Sequence, residues 1–225
     1  MITLYRPSGY DSPRASSFAG RSVDDKPLDV ENGSSFKEID TGRVFRYDKE
    51  NNLWIEQKNT TGGGGATEPY IEETYDADGN LIEAKLYGYT KIRDNLYVGC
   101  TNLAHVSFSE SLTSIGESAF NSCSNLALTS LPAGVTSIGS GAFYGCSNLA
   151  LTSLPAGVTS IGSYAFSGCT RLTSITFKGT PTTIASSAFD GCTNLTDIKV
   201  PWAEGAVSGA PWGATNATIT YNYTE

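Results

Sequence analysis

Five cysteines fall at Cys100, Cys123, Cys146, Cys169 and Cys192, and every interval between them is 23 residues. Phe120, Phe143, Phe166 and Phe189 keep the same step, with Tyr97 in the preceding slot, and Ala119, Ala142, Ala165 and Ala188 keep it beside them, with Leu96 before. Ile92, Ile115, Ile138, Ile161 and Ile184 form another column, and Leu103, Leu126, Leu149, Leu172 and Leu195 a further one. A fixed period of this size is the signature of stacked repeats. From each Ile, the Ala, Phe, Cys and Leu follow at offsets of 4, 5, 8 and 11. Offsets 0, 4, 8 and 11 share one side of a helix-like turn. Val106, Thr129, Thr152, Ile175 and Ile198 lie two residues before Phe108, Leu131, Leu154, Phe177 and Val200, which is strand spacing. Each unit therefore reads as a short strand, a turn, a second extended piece "VTSI" and a short helical turn over "AFxGC". No such unit buries its own apolar side; stacking turns the apolar columns into one continuous core.

"LTSLPAGVTSIGSYAFSGCTRL" resembles the leucine-rich repeats of the BspA (treponemal) type, and whole motifs recur in phase from about Ile82 to Val200. The resemblance implies a right-handed solenoid with a parallel sheet on one face, and recognition or adhesion in place of catalysis. The fourth full unit departs from the pattern, with Ala185 for Gly and Pro181 for Val, and the first, "KIRDNLYVGC", is degenerate. Atypical end units are expected where a stack closes. The expected fold class is α+β or mainly β: a leucine-rich-repeat solenoid of 23-residue repeats, preceded by an extended N-terminal arm and a small β-hairpin anchor. The arm and anchor are assigned to residues 1–59, a Gly-rich linker to 60–68, a hairpin cap with the repeats to 69–200, and a C-terminal cap to 201–225.

"YIEETYDADGNLIEAKLYGYTKI", Tyr70 to Ile92, alternates about the turn signal "DADGN" and reads as a hairpin covering the first edge of the solenoid. Asp76, Asp78 and Asn80 resemble the start of a calcium loop, but the distal Glu and the rest of a twelve-residue loop do not follow, so these residues read as a turn. At the other end Pro201–Trp202 and Pro211–Trp212 break the period, and their large aromatics are suited to plugging the last coil. "ATITYNYT" then alternates as a final strand.

The front segment is different. "RPSGYDSPRASSFAGRSVDDKP" has no apolar period and reads as an arm that orders on a partner. "GSSFKEIDTGRVFRYDKENNLWIEQ" alternates, and its "DKENN" makes a turn between two strands. So short a hairpin holds no core of its own and is expected to lean on another subunit or scaffold. "DVENGSSFKEIDTGRVFRYDKENNLW", with the preceding "GRSVDDKP", resembles a short module near the start of many phage structural proteins, over about Gly20 to Gln57. That resemblance implies a virion protein with an anchor in front, a joint, and a displayed module behind.

The 225 residues carry 15 basic and 23 acidic side chains, a net charge of −8. Nucleic acid and anionic membrane both select clustered Lys and Arg, so neither is expected as a partner. Asn95–Glu225 holds only six acidic and three basic residues, leaving a surface of Ser, Thr, Asn and Gly. No apolar run spans a bilayer, and the first residues, "MITLYRPSGYDSPRASS", lack the apolar core of a secretory signal, so folding in the cytoplasm is expected. The cysteines lack the short local pairs of a zinc site and read as small buried hydrophobes with free thiols. The single histidine, His105, stands in a column otherwise filled by Leu128 and Leu151 and reads as structural. "TGGGGAT" has no Lys after it and reads as a linker, and Glu110, Glu117, Asp190 and Asp197 lie in scattered columns. No catalytic residue, metal ligand or cofactor site is assigned, and an enzyme is not expected.

The functional expectation is a phage head-fibre or capsid-decoration protein at the virion surface, assembled in the bacterial cytoplasm. Its N-terminal segment would bind other capsid proteins and its repeats a host surface glycan or protein. A homo-oligomer, a trimer by analogy with fibres, is expected. The alternatives are a bacterial BspA-like surface adhesin and a capsid cement protein without a ligand. No binding residue is assigned: the positions that vary between repeats, Tyr144 against Asn121, Ser167 and Asp190, and Tyr164 against Ser118, Gly141 and Ser187, are where a ligand would be read, and surface drift accounts for their variation equally well.

Overall fold

Short strands recur where the apolar columns predict them. The computed structural model describes residues 69–224 and, before them, the backbone of five strands: β1 (Thr3–Pro7), β2 (Ser17–Gly20), β3 (Ser35–Glu38), β4 (Val44–Asp48) and β5 (Leu53–Gln57). Two units are distinguished, Met1–Gly88 and Tyr89–Glu225.

In the first unit β6 (Tyr70–Tyr75) and β7 (Leu81–Tyr87) form the hairpin expected around "DADGN". The hairpin falls in the same unit as the front strands, and β6 pairs antiparallel with β1. The strand order is β5-β4-β3-β2-β1-β6-β7, antiparallel except for the β2–β3 pair. β4 and β5 pair about the "DKENN" turn as expected, with Asp48 opposite Leu53. Their sheet continues inside the same chain, with β3 paired to β4 and β2 paired to β3. Two strands also fall in the stretch read as an arm; the rest of that arm and the Gly-rich linker lie outside the described residues.

The second unit is a series of short pieces repeated along a stack. On one face β8 (Lys91–Ile92), β10 (Ser114–Ile115), β11 (Ser137–Ile138), β13 (Ser160–Ile161) and β15 (Thr183–Ile184) pair in parallel, each Ile opposite the next. On another, β12 (Ser153–Leu154), β14 (Ser174–Phe177), β16 (Asp197–Lys199) and β17 (Thr218–Thr220) do the same. β9 (His105–Ser107) opens the second strand position of the first coil. The Ile, Ala, Phe and Leu columns point inward and are buried. The ring column runs Tyr97–Phe120–Phe143–Phe166–Phe189, with neighbouring centroids 5.2–5.6 Å apart; the three Phe–Phe pairs lie within 8° of parallel.

The expected helical turn over "AFxGC" is not a helix, and no α-helix occurs among the described residues. Every second N–H there reaches the next coil: Ser118 to Ser140 O (2.9 Å), Phe120 to Ala142 O (2.8 Å) and Ser122 to Tyr144 O (2.7 Å). The intervening ones close within the turn, Asn121 to Ser118 O and Cys123 to Phe120 O, both at 3.1 Å. An α-helix would take all of them inside its own segment and leave nothing for its neighbour. Left-handed residues enforce the alternation: Ser122, Gly145, Gly168 and Gly191 have φ between 62 and 72°. Tight stacking also explains the Gly after Ile115, Ile138 and Ile161. A Cβ on Gly139 would stand 2.7 Å from the backbone of Gly116 and Glu117.

The C-terminal segment corrects the sequence reading. Trp212 lies 23 residues after Phe189 and Val207 lies 23 after Ile184, and both are buried. The Trp212 carbonyl accepts the Phe189 N–H at 2.9 Å, and β17 pairs with β16. The tail thus adds one irregular coil where a break in the period was expected. Trp202 packs edge-on to Phe177 (5.3 Å) and Trp212 (6.3 Å), which closes the core as expected.

Phe143 is fully buried between two stacked rings. Truncation to Ala is expected to cost about 3–5 kcal/mol, read as a lower urea midpoint.

Candidate functional site

Three columns on the turn side of the stack converge on one open cleft of about 460 Å³. Ser118, Gly141 and Tyr164 occupy the same slot in three successive coils and line it. Glu117, Ser140 and Ser163, one residue earlier, and Asn121 and Tyr144, three residues later, complete the lining. Tyr144 and Tyr164 are 46 and 49 % exposed, while the aromatic column Phe120–Phe143–Phe166 is buried. Gly141 adds no side chain to the lining; a Cβ there would come within 3.3 Å of Ser118 Oγ and 3.8 Å of Tyr144 Cβ.

The backbone under this cleft is strained at one point. The slot is left-handed in four coils, at Asn95 (φ 58°), Ser118 (52°), Gly141 (60°) and Tyr164 (57°). Asn and Gly adopt that conformation readily; a bulky Tyr is an outlier costing about 1 kcal/mol. Strain of this kind collects at functional sites. Among the described residues of the lining Glu117 is the only charged one, and its N–H donates to Asp94 Oδ1 at 2.9 Å. The positions whose variation marked them in the sequence, Tyr144, Asn121, Tyr164, Ser118 and Gly141, are brought together here. Ser167 is buried away at 9 % exposure. The column of Glu117, Ser140 and Ser163 shows in the sequence only as two 23-residue steps from Glu117.

A second groove, about 400 Å³, follows the parallel face past Ser114, Ser137, Ser160 and Thr183. Its edge carries a hydroxyl ladder: Thr113, Thr136 and Thr159 each donate Oγ1–H to the Thr carbonyl one coil earlier, at 2.9–3.1 Å. Those hydroxyls are used within the stack.

The cysteines form a second internal ladder. Cys123, Cys146, Cys169 and Cys192 are buried, and each thiol donates to the carbonyl of the aromatic residue one coil earlier, at 3.0–3.2 Å. Burial pushes the Cys192 thiol up to about 11 and Cys146 to about 12, and raises Cys123 and Cys169 as well. Cys100, in the first coil, is half-buried. At the hairpin turn Asp76 Oδ1 accepts the N–H of Asp78 (3.0 Å) and of Asn80 (2.8 Å). The Asn80 side-chain amide also binds it, and holds its carboxyl below the usual range. Gly79 completes the turn with φ 81°. His105 is exposed on β9, where Leu128 and Leu151 turn further inward. Trp202 and Trp212 are buried, so neither offers a ring face to a ligand. No group of three metal-ligating side chains occurs among the described residues, and none of their helices is long and apolar enough to cross a membrane.

Short parallel strands, an inward aromatic column and turns in place of helices define a leucine-rich-repeat solenoid. The family model for the BspA type leucine rich repeat region matches residues 90–204 in six copies, and the chain belongs to that family. Among solved structures it is similar to a leucine-rich repeat protein of T. pallidum, TpLRR, at 21 % identity, covering 68 % of this chain and 79 % of that one with a TM-score of 0.50. A leucine-rich repeat protein from Bacteroides ovatus is similar at 22 % identity, covering 70 % and 45 % with a TM-score of 0.44. A leucine rich cell surface protein from Faecalibacterium prausnitzii is similar at 19 % identity, covering 78 % and 71 % with a TM-score of 0.32. No curated protein matches the sequence.

The thiol ladder has a pH consequence. In the unfolded chain thiols ionise near pH 9, while the buried ones stay protonated. Their contribution is therefore whole below pH 9 and is lost as pH rises toward 11–12, by up to about 1.4 kcal/mol per thiol per pH unit. The expected outcomes are a urea midpoint falling above pH 9, and no more than one thiol reacting with Ellman's reagent before unfolding against five after it.

Proposed function

We propose that the protein is a non-enzymatic recognition protein, in which a rigid stack of coils holds a ligand cleft and the front segment attaches the stack to a larger assembly. The observation that carries this is the cleft itself. Five of its residues stand at variable positions of an otherwise repeating chain, and two present exposed tyrosines. Loops and turns that vary on a constant scaffold are where binding is normally placed. Tyr is also the side chain most favoured at recognition sites, since it offers a large amphipathic face at little entropic cost.

For the assembly, the resemblance of Gly20–Gln57 to a phage structural module supports a virion, as a head fibre or capsid decoration. Its host-directed face would be the repeats. Many copies on one particle would multiply weak contacts, since each further contact is made at high effective concentration. A homo-oligomer is part of this proposal.

Membership of the BspA type family favours a second reading, a bacterial surface adhesin that uses the same cleft. Attachment then runs to a cell envelope and not to a capsid. The two readings divide on one measurement. Mass spectrometry of purified phage particles from a producing host is expected to find this chain at stoichiometric levels. Its presence in the envelope fraction and absence from particles would establish the adhesin instead. Beads coated with the full chain are expected to be retained on host cells or mucus; if they are not, recognition itself fails and a cement role takes its place.

A further inference from the structure

We propose that the Tyr144–Tyr164 cleft is a binding site for a neutral saccharide, of about one to three sugar rings. This rests on the recognition reading above and names its ligand class. The two tyrosines line the same cleft together with Gly141, they come from neighbouring coils, and each exposes about half its surface. A sugar ring carries axial C–H groups on one face, and these are attracted to the negative face of an aromatic ring. Around the rings stand short side chains that both donate and accept: the hydroxyls of Ser118, Ser140 and Ser163 and the amide of Asn121. Such groups match the alternating donors and acceptors of sugar hydroxyls. Glu117 accepts from a pair of vicinal hydroxyls and repels an anion. Among the described residues no Lys or Arg lines the cleft, so acidic sugars and phosphate find no counter-charge from them. The volume of about 460 Å³ suits a small ligand and not a folded protein surface.

Tyr164 adds an independent observation. It holds a left-handed backbone that Gly141 holds without strain, and it leaves about half of its surface in solvent. Packing alone does not account for a half-exposed Tyr in a slot that favours Gly or Asn. Presenting that ring to a ligand accounts for it.

The test uses the full chain and calorimetric titration with neutral oligosaccharides of glucose, galactose, mannose and N-acetylglucosamine, with a sialylated trisaccharide and a neutral peptide alongside. At least one neutral sugar is expected to bind in the micromolar to millimolar range. Tyr144→Ser and Tyr164→Gly are each expected to weaken it at least tenfold. Tyr164→Gly is also expected to melt at the same temperature or higher, because the strained φ is released. That separates lost binding from lost folding. No neutral sugar binding, unchanged binding in both variants, or Tyr-dependent binding of the peptide or of the sialylated sugar alone would each overturn the proposal. The same variants on coated beads separate it from the broader reading. Retention on cells that survives both substitutions keeps recognition and removes this cleft, whereas wild-type beads that fail to bind remove recognition as a whole.

Discussion

Everything in the repeat unit depends on burial across the gap between one coil and the next. A 23-residue coil has no interior, and its Phe, Ile and Leu side chains leave water only when a neighbour covers them. The stack answers with contacts that all run along its axis: ring on ring, Ile strand beside Ile strand, thiol to carbonyl, Thr hydroxyl to carbonyl. Because each is repeated in register, a change that widens one gap is felt by several ladders at once. Gly139 shows the margin, since a single methyl group there would meet backbone at 2.7 Å. The same dependence requires that both ends be closed. At the C-terminal end Trp202, Val207 and Trp212 bury themselves over the last full coil.

How far this was legible in the sequence follows from which atoms carry each feature. Side-chain columns were readable, because burial selects residue type: the Ile, Phe, Cys and Leu positions all point where their period places them. Backbone hydrogen bonding was not. Offsets of 4, 8 and 11 suit a helix, yet here the same offsets arise from turns whose alternate N–H groups serve the next coil. Only the recurrent Gly of "GC" hinted at the left-handed residue that forbids a helix. The last coil was not legible because Trp212, directly after Pro211, fills a Phe slot, so identity changed while position did not. The hairpin Tyr70–Tyr87 was recognised by its turn, but its pairing with β1 links strands more than sixty residues apart, and no local pattern encodes that.

The cleft stands between these cases. Its residues were visible as exceptions to the repeat, and their convergence was not, since it depends on three coils lying flush. Once they do, Ser118, Gly141 and Tyr164 become neighbours although 46 residues separate the first from the last. Rigidity and recognition have the same origin here. The contacts that exclude water from the core also fix two tyrosine rings in space, so little ordering entropy remains to be lost on binding.

The near-identical text of adjoining coils has an evolutionary corollary. Unequal recombination within such a gene adds or removes whole courses of 23 residues, and every ladder can simply be extended by one rung of about 4.8 Å. The core would tolerate this almost anywhere. Between Tyr144 and Tyr164 it would not pass unnoticed, because an inserted course would drive the two rings apart and divide one receptor surface into two half-sites. Stack length is therefore free to drift at the expense of little stability, while the seam that joins these two coils is the place where a new specificity would begin.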